Sequence, residues 1–148
     1  MQLSSSLEDY LETIHAIVEK KGAARPTDIA RARNVAASSV TTALKNLSRL
    51  GLVNHEPYDL VTLTPEGRRI ARKVTEKHDV LKDFFLSVLE IDPETSEECA
   101  CGMEHVIPEH VLKRFTEYLE FVKKCEHSGR HWSEESGFIC RCVPEEKK

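Results

Sequence analysis

A chain of 148 residues, 40% hydrophobic and 31% charged, can close one core or two small ones and is too short for a large multidomain enzyme. No run approaches the roughly 18 apolar residues of a membrane span. The start, MQLSSSLEDYLETI, lacks the basic flank and apolar stretch of a secretory signal, so a cytoplasmic location is expected.

The net charge of −4 is unevenly spread. Residues 1 to 76 carry 11 Lys and Arg against 9 Asp and Glu, whereas residues 77 to 148 carry 10 against 16. An acidic second half repels phosphate unless it is held away from nucleic acid or partly neutralised by bound cations. Five cysteines, an odd number, beside seven histidines point to thiols and metal ligation rather than a disulfide framework.

In chain order, Ser6 can cap a helix from Leu7 to about Lys20, striped by Leu7, Leu11, Ile14, Ile17 and Val18 and stopped at Gly22. Pro26 and Thr27 start a short helix reaching Arg33. Ala36 to Ser39 leads into a third, with Val40, Leu44 and Leu47 facing inward and Gly51 at its end. Two β-prone runs follow, Leu52 to Glu56 and Leu60 to Leu63, separated by Pro57, Tyr58 and Asp59. Three helices and a hairpin in this order predict a winged helix-turn-helix over 1–74, whose third helix enters the major groove. On that helix Ser38, Ser39, Thr41, Thr42, Lys45 and Arg49 are the candidate DNA contacts, with Arg25 ahead of the second helix; polar and basic side chains there suit bases and phosphates.

Thr64 and Pro65 begin a long helix to about Leu89, and Asp92 and Pro93 a further one expected to carry Cys99, Cys101, Glu104 and His105. On one helix, Cys101, Glu104 and His105 would share a face and could clasp a cation. Asp9 and Glu12 repeat the i, i+3 spacing in the first helix, and His78 lies between the two clusters. Pro108 opens a last helix whose apolar face, Val111, Leu112, Phe115, Leu119 and Val122, is expected to pack against a second copy of the chain. The fold class is therefore mainly α: the winged domain, then an all-helical metal-binding and dimerisation domain over 75–148 with a Cys/His-rich tail. There, Cys125, His127, His131, Cys140 and Cys142 suggest a second centre, zinc or an iron-sulfur cluster, against free thiols in an irregular tail.

The motifs LEDYLETI, AASSVTTALKNLSRLGLV, LTPEGRRIA, KHDVLKDFF and CGMEH resemble those of the diphtheria toxin repressor family of iron- and manganese-dependent regulators. The resemblance implies a homodimer that binds palindromic operators when loaded with Fe²⁺ or Mn²⁺, and a principal metal site of Asp9, Glu12, His78, Cys101, Glu104 and His105. The length suits the short, two-domain branch, which lacks the SH3-like third domain. Asp9 and Glu12 match the manganese branch, while Cys101 matches the iron branch and, as a softer donor, favours Fe²⁺. An ancillary site of the iron branch is not reproduced, because Lys82 stands where an acid is needed and Glu97 where a histidine is. The rival readings are a metal-independent winged-helix regulator with a cysteine redox switch and a metal-dependent hydrolase; no HExxH or comparable motif supports the latter.

Overall fold

The computed structural model describes residues 3–56, 60–124, 130–133, 135 and 137–140. The chain forms two compact units, residues 1–76 and 77–148.

The first unit begins with α1, Ser5–Lys21. Its cap is Ser4 rather than Ser6: the Ser4 hydroxyl accepts from Leu7 N, and the earlier start lets Leu3 pack on the core beside Leu7. Gly22 closes the helix at φ 82, where a side chain would be strained. Helix α2, Pro26–Arg33, opens on proline and ends on Asn34 in the left-handed region. Helix α3, Ala37–Arg49, buries Val40, Ala43, Leu44 and Leu47. Strands β1, Val53–Glu56, and β2, Leu60–Leu63, pair antiparallel with Val53 opposite Leu63. Ala24 adds a third rung by exchanging both backbone hydrogen bonds with Val61, which ties the segment between α1 and α2 to the wing. Leu11, Ile14, Ile29, Val40, Leu47, Leu52 and Val61 are fully buried at the centre. Burying aliphatic side chains, at about 1.5–3 kcal/mol each, is what holds the helices in this order.

Helix α4, Pro65–Ser87, begins in the first unit and ends in the second. It stops two residues before Leu89 because Glu90 adopts φ 54 and the chain folds back, placing Leu89 and Ile91 against the core of the second unit. Helix α5 spans Pro93–Met103, with the Asp92 carboxylate accepting from Thr95 N, and α6 spans Glu109–Lys124. Leu81, Phe85, Ala100 and Ile107 form a small core. Part of the apolar face of α6 is used here, since Val111, Leu112 and Phe115 pack on that core and Leu119 is buried. The expectation that this whole face waits for a second copy is corrected to its outer edge, where Tyr118 and Phe121 remain exposed.

The mainly helical class holds, with one addition to the second unit: strands β3, Arg130–Ser133, and β4, Gly137–Cys140, pair antiparallel, Arg130 opposite Cys140. These two strands pair in a unit expected to be all-helical, because four-residue strands satisfy their backbone groups pairwise without needing an aliphatic run. Among the described residues no helix is long and apolar enough to cross a membrane.

Candidate metal centre and nucleic-acid interface

Helix α5 does not carry all of the downstream cluster. It ends at Met103, so Cys101 lies on the helix with an exposed side chain, Glu104 is the cap residue, and His105 stands in the following turn. The turn forms because Val106 N and Ile107 N both bond to Met103 O, burying Ile107 just before Pro108, a residue that disfavours further helix ahead of it.

Its effect is to aim Glu104 inward. That residue is only 1% exposed, and its carboxylate meets two imidazoles: His78 Nδ1 at 2.6 Å from Oε2 and His105 Nε2 at 3.1 Å from Oε1. The first contact is a hydrogen bond and the second an ion-pair distance without hydrogen-bond geometry; a buried carboxylate costs several kcal/mol unless it is fully matched. His78, from α4, also reaches outward, with Nε2 3.3 Å from Glu97 Oε1, while Glu97 Oε2 takes Lys82 Nζ at 2.6 Å. Burial alone would pull the His78 imidazole down, but hydrogen bonding and charge from Glu104, with Glu97 behind, outweigh it and leave the ring above its ordinary value. The Lys82 hydrogen bond holds Glu97 below the usual carboxylate range. Two imidazole nitrogens converging on one carboxylate are the N,O donors that divalent first-row metals take, so these residues fit such an ion.

In the first unit, Asp9 and Glu12 stand one turn apart on α1 and each already has a partner. Arg33 Nη2 donates to Asp9 Oδ2 at 2.8 Å while its guanidinium lies 4.9 Å from the Tyr10 ring centroid, and Thr75 Oγ1 donates to Glu12 Oε1 at 3.0 Å. The sequence reading missed Arg33 and Thr75, because pairs so far apart in the chain leave no trace in local spacing.

All seven candidate DNA contacts, Arg25, Ser38, Ser39, Thr41, Thr42, Lys45 and Arg49, have exposed side chains. Thr41 and Thr42 turn their hydroxyl protons back to the Ala37 and Ser38 carbonyls, leaving methyl groups and oxygen lone pairs for another molecule. Of the tail candidates, Cys125, His127 and Cys142 lie outside the described residues, while His131 and Cys140 are placed in β3 and β4 by backbone alone.

A buried helix-turn-helix core whose third helix keeps its polar face exposed, with a two-stranded wing, is the architecture of a DNA-binding transcriptional regulator. Residues 2–61 match the profile described as the iron dependent repressor N-terminal DNA binding domain, and residues 64–133 that of the iron dependent repressor metal binding and dimerisation domain. The chain belongs to this iron-dependent repressor family, and it is a metal-dependent transcriptional regulator, not an enzyme. It is 38% identical over 122 residues to an uncharacterised HTH-type transcriptional regulator of Methanocaldococcus jannaschii, covering 82% of this chain and 98% of that one. To the HTH-type transcriptional regulator MntR of Bacillus pumilus it is 32% identical over 121 residues, covering 82% and 83%. The crystal structure of IdeR from T. acidophilum is similar with a TM-score of 0.70 and 32% identity; the match covers 81% of this chain and 56% of that longer one.

Proposed function

We propose that the protein is a cytoplasmic homodimer that represses metal-uptake genes by binding a palindromic operator when loaded with Fe²⁺ or Mn²⁺, iron being favoured by the Cys101 thiolate. Residues 1–74 serve as the reading domain and 75–148 as the metal-binding and dimerisation domain. The observation that carries the reading is the buried Glu104 carboxylate met by the His78 and His105 rings. Asp9 and Glu12 from the first domain, with His78, Cys101, Glu104 and His105 from the second, would hold the ion. When bound, it supplies directional bonds that favour one arrangement of the two domains over others. The arrangement so favoured presents α3 to the major groove, with Lys45, Arg49 and Arg25 on phosphates and Ser38, Ser39, Thr41 and Thr42 toward base edges.

The test is elemental analysis of anaerobically purified protein joined to operator titrations with Fe²⁺, with Mn²⁺ and with chelator. Tighter operator binding with metal is expected; equal affinities would end the proposal, since a ligand that does not distinguish two states cannot shift them. The same elemental count addresses Cys125, His127, His131, Cys140 and Cys142, for which we propose a second centre of zinc or iron-sulfur. A single metal per chain excludes it.

Cys101→Glu replaces the one soft donor and is expected to shift the relative response from Fe²⁺ toward Mn²⁺ without loss of folding, because Cys101 is exposed on α5. An unchanged ratio of the two responses in operator binding would remove thiolate softness as the cause.

For the dimer, the outer edge of α6 is the face we assign. A groove of about 590 Å³ is lined by Phe84, Val88, Leu89, Phe115, Tyr118 and Val122; Phe121, 59% exposed, meets Tyr118 at a tilt, as Tyr118 meets Phe84. Phe121→Glu places a charge at this edge and is expected to weaken self-association by about tenfold or more in sedimentation, as for the loss of a central aromatic anchor. Sedimentation identical to the parent would move the interface elsewhere.

A further inference from the structure

Glu97 lies beside the carboxylate and imidazole cluster without being one of the six assigned ligands, and its two oxygens have different partners. Oε2 takes Lys82 Nζ at 2.6 Å, and Oε1 faces His78 Nε2 at 3.3 Å. The other ring nitrogen, Nδ1, lies 2.6 Å from Glu104 Oε2. His78 and Lys82 are four residues apart on α4, so they share a helix face and reach the same carboxylate on α5.

An imidazole can give a metal a lone pair from one nitrogen while the other keeps its proton, and the partner of the protonated nitrogen decides which is which. An acceptor at Nε2 keeps the proton there, so the lone pair offered to an ion is that of Nδ1, the nitrogen on the Glu104 side. Lys82, occupying one carboxylate oxygen, holds Glu97 in place with the other directed at the ring.

We propose that Glu97, held by Lys82, is a positioning residue for the metal centre: it accepts the His78 Nε2 proton, fixes the ring plane and directs Nδ1 toward the ion. This rests on the assignment of His78 and Glu104 as ligands. Loss of such an outer partner lowers metal affinity by roughly 10–100-fold. Glu97 is 53% exposed, and water competes for both of its contacts, so the lower end, about tenfold, is expected.

The experiment is Mn²⁺ binding, followed by the electron paramagnetic resonance of free Mn²⁺, on DNA-free full-length protein: parent, His78→Ala, Glu97→Ala and Glu97→Gln. The parent should bind and His78→Ala should not. Glu97→Ala should bind about tenfold more weakly at unchanged stoichiometry, while Glu97→Gln, whose amide oxygen still accepts the Nε2 proton but whose NH2 group gives Lys82 no acceptor, should recover only part of the loss. Metal-free melting temperatures of both Glu97 variants should match the parent, which separates positioning from a merely structural role. A parent that fails to bind, or binding indifferent to His78→Ala, overturns the metal-centre reading and this proposal with it. If those two behave as expected, the proposal alone is overturned by a Glu97→Ala affinity equal to the parent's, by equal losses in the Ala and Gln variants, or by a whole ion lost from the stoichiometry.

Discussion

Gly67→Ala is expected to lower the stability of the first unit by about 3 kcal/mol or more, at or beyond the upper end of ordinary overpacking effects. Gly67 sits in the first turn of α4, where its N–H donates to the Thr64 hydroxyl that caps the helix. A Cβ there would lie 1.9 Å from the Leu52 carbonyl oxygen and 2.9 Å from its carbon. Both atoms are backbone, so no side-chain rotation relieves the overlap. Leu52 is fully buried and its carbonyl accepts from Thr64 N, which leaves the strand and the helix start no independent room to move. In a unit of this size the loss corresponds to a fall in melting temperature of roughly 15 °C. Gly102→Ala is the control: it lies in α5 with nothing within 4 Å of the added carbon, and should be neutral or stabilising by up to about 1 kcal/mol. Thermal unfolding of the two variants checks both, and a Gly67→Ala protein melting within a few degrees of the parent would show that the helix start yields freely.

The same glycine shows where a sequence stops being readable. That α4 starts after Thr64 is written in Thr-Pro-Glu, because a capping hydroxyl and a proline at the first helical position act locally. Likewise Pro26, Pro93, Gly22 and Gly51 mark helix ends within a residue or two. The need for glycine at 67 depends on Leu52, a residue brought close by the wing, and no local pattern records that approach. The candidate centre divides in the same way. His78, Glu104 and His105 could be named as donors from their chemistry and from the resemblance of CGMEH to a known motif. The three-and-four spacing, however, suggested one helical face carrying Cys101, Glu104 and His105. The helix instead ends at Met103, and Glu104 becomes buried by the turn that Pro108 enforces. The contacts that tune the donors, Glu97 on His78 and Arg33 on Asp9, join different helices and have no counterpart in periodicity. The pairing of β3 with β4 is illegible for another reason: RHWS and GFIC are too short and too mixed in polarity to alternate clearly, and their pairing lies in backbone hydrogen bonds that any side chains permit.

Glu104→Gln should separate the chemical role of the centre from its structural one. A carboxylate at 1% exposure is a costly choice if only a hydrogen-bonding wedge between His78 and His105 is needed, since an amide of the same shape is neutral and loses less hydration on burial. The metal-free variant is therefore expected to fold and to melt near the parent's temperature, because a Gln oxygen can still accept from one ring. The two proteins should part company when Mn²⁺ is added. Ligand that binds only the folded state stabilises it in proportion to the logarithm of its concentration over Kd, about 2.7 kcal/mol at a hundredfold excess. The parent should gain that much. The variant, with no anionic oxygen between the two imidazoles, should gain little at the same Mn²⁺ concentration, and metal should no longer tighten its hold on the operator. Melting curves with and without Mn²⁺ decide the matter: if both proteins are stabilised equally, Glu104 is not a ligand, and its burial reflects packing between α4 and the end of α5 alone.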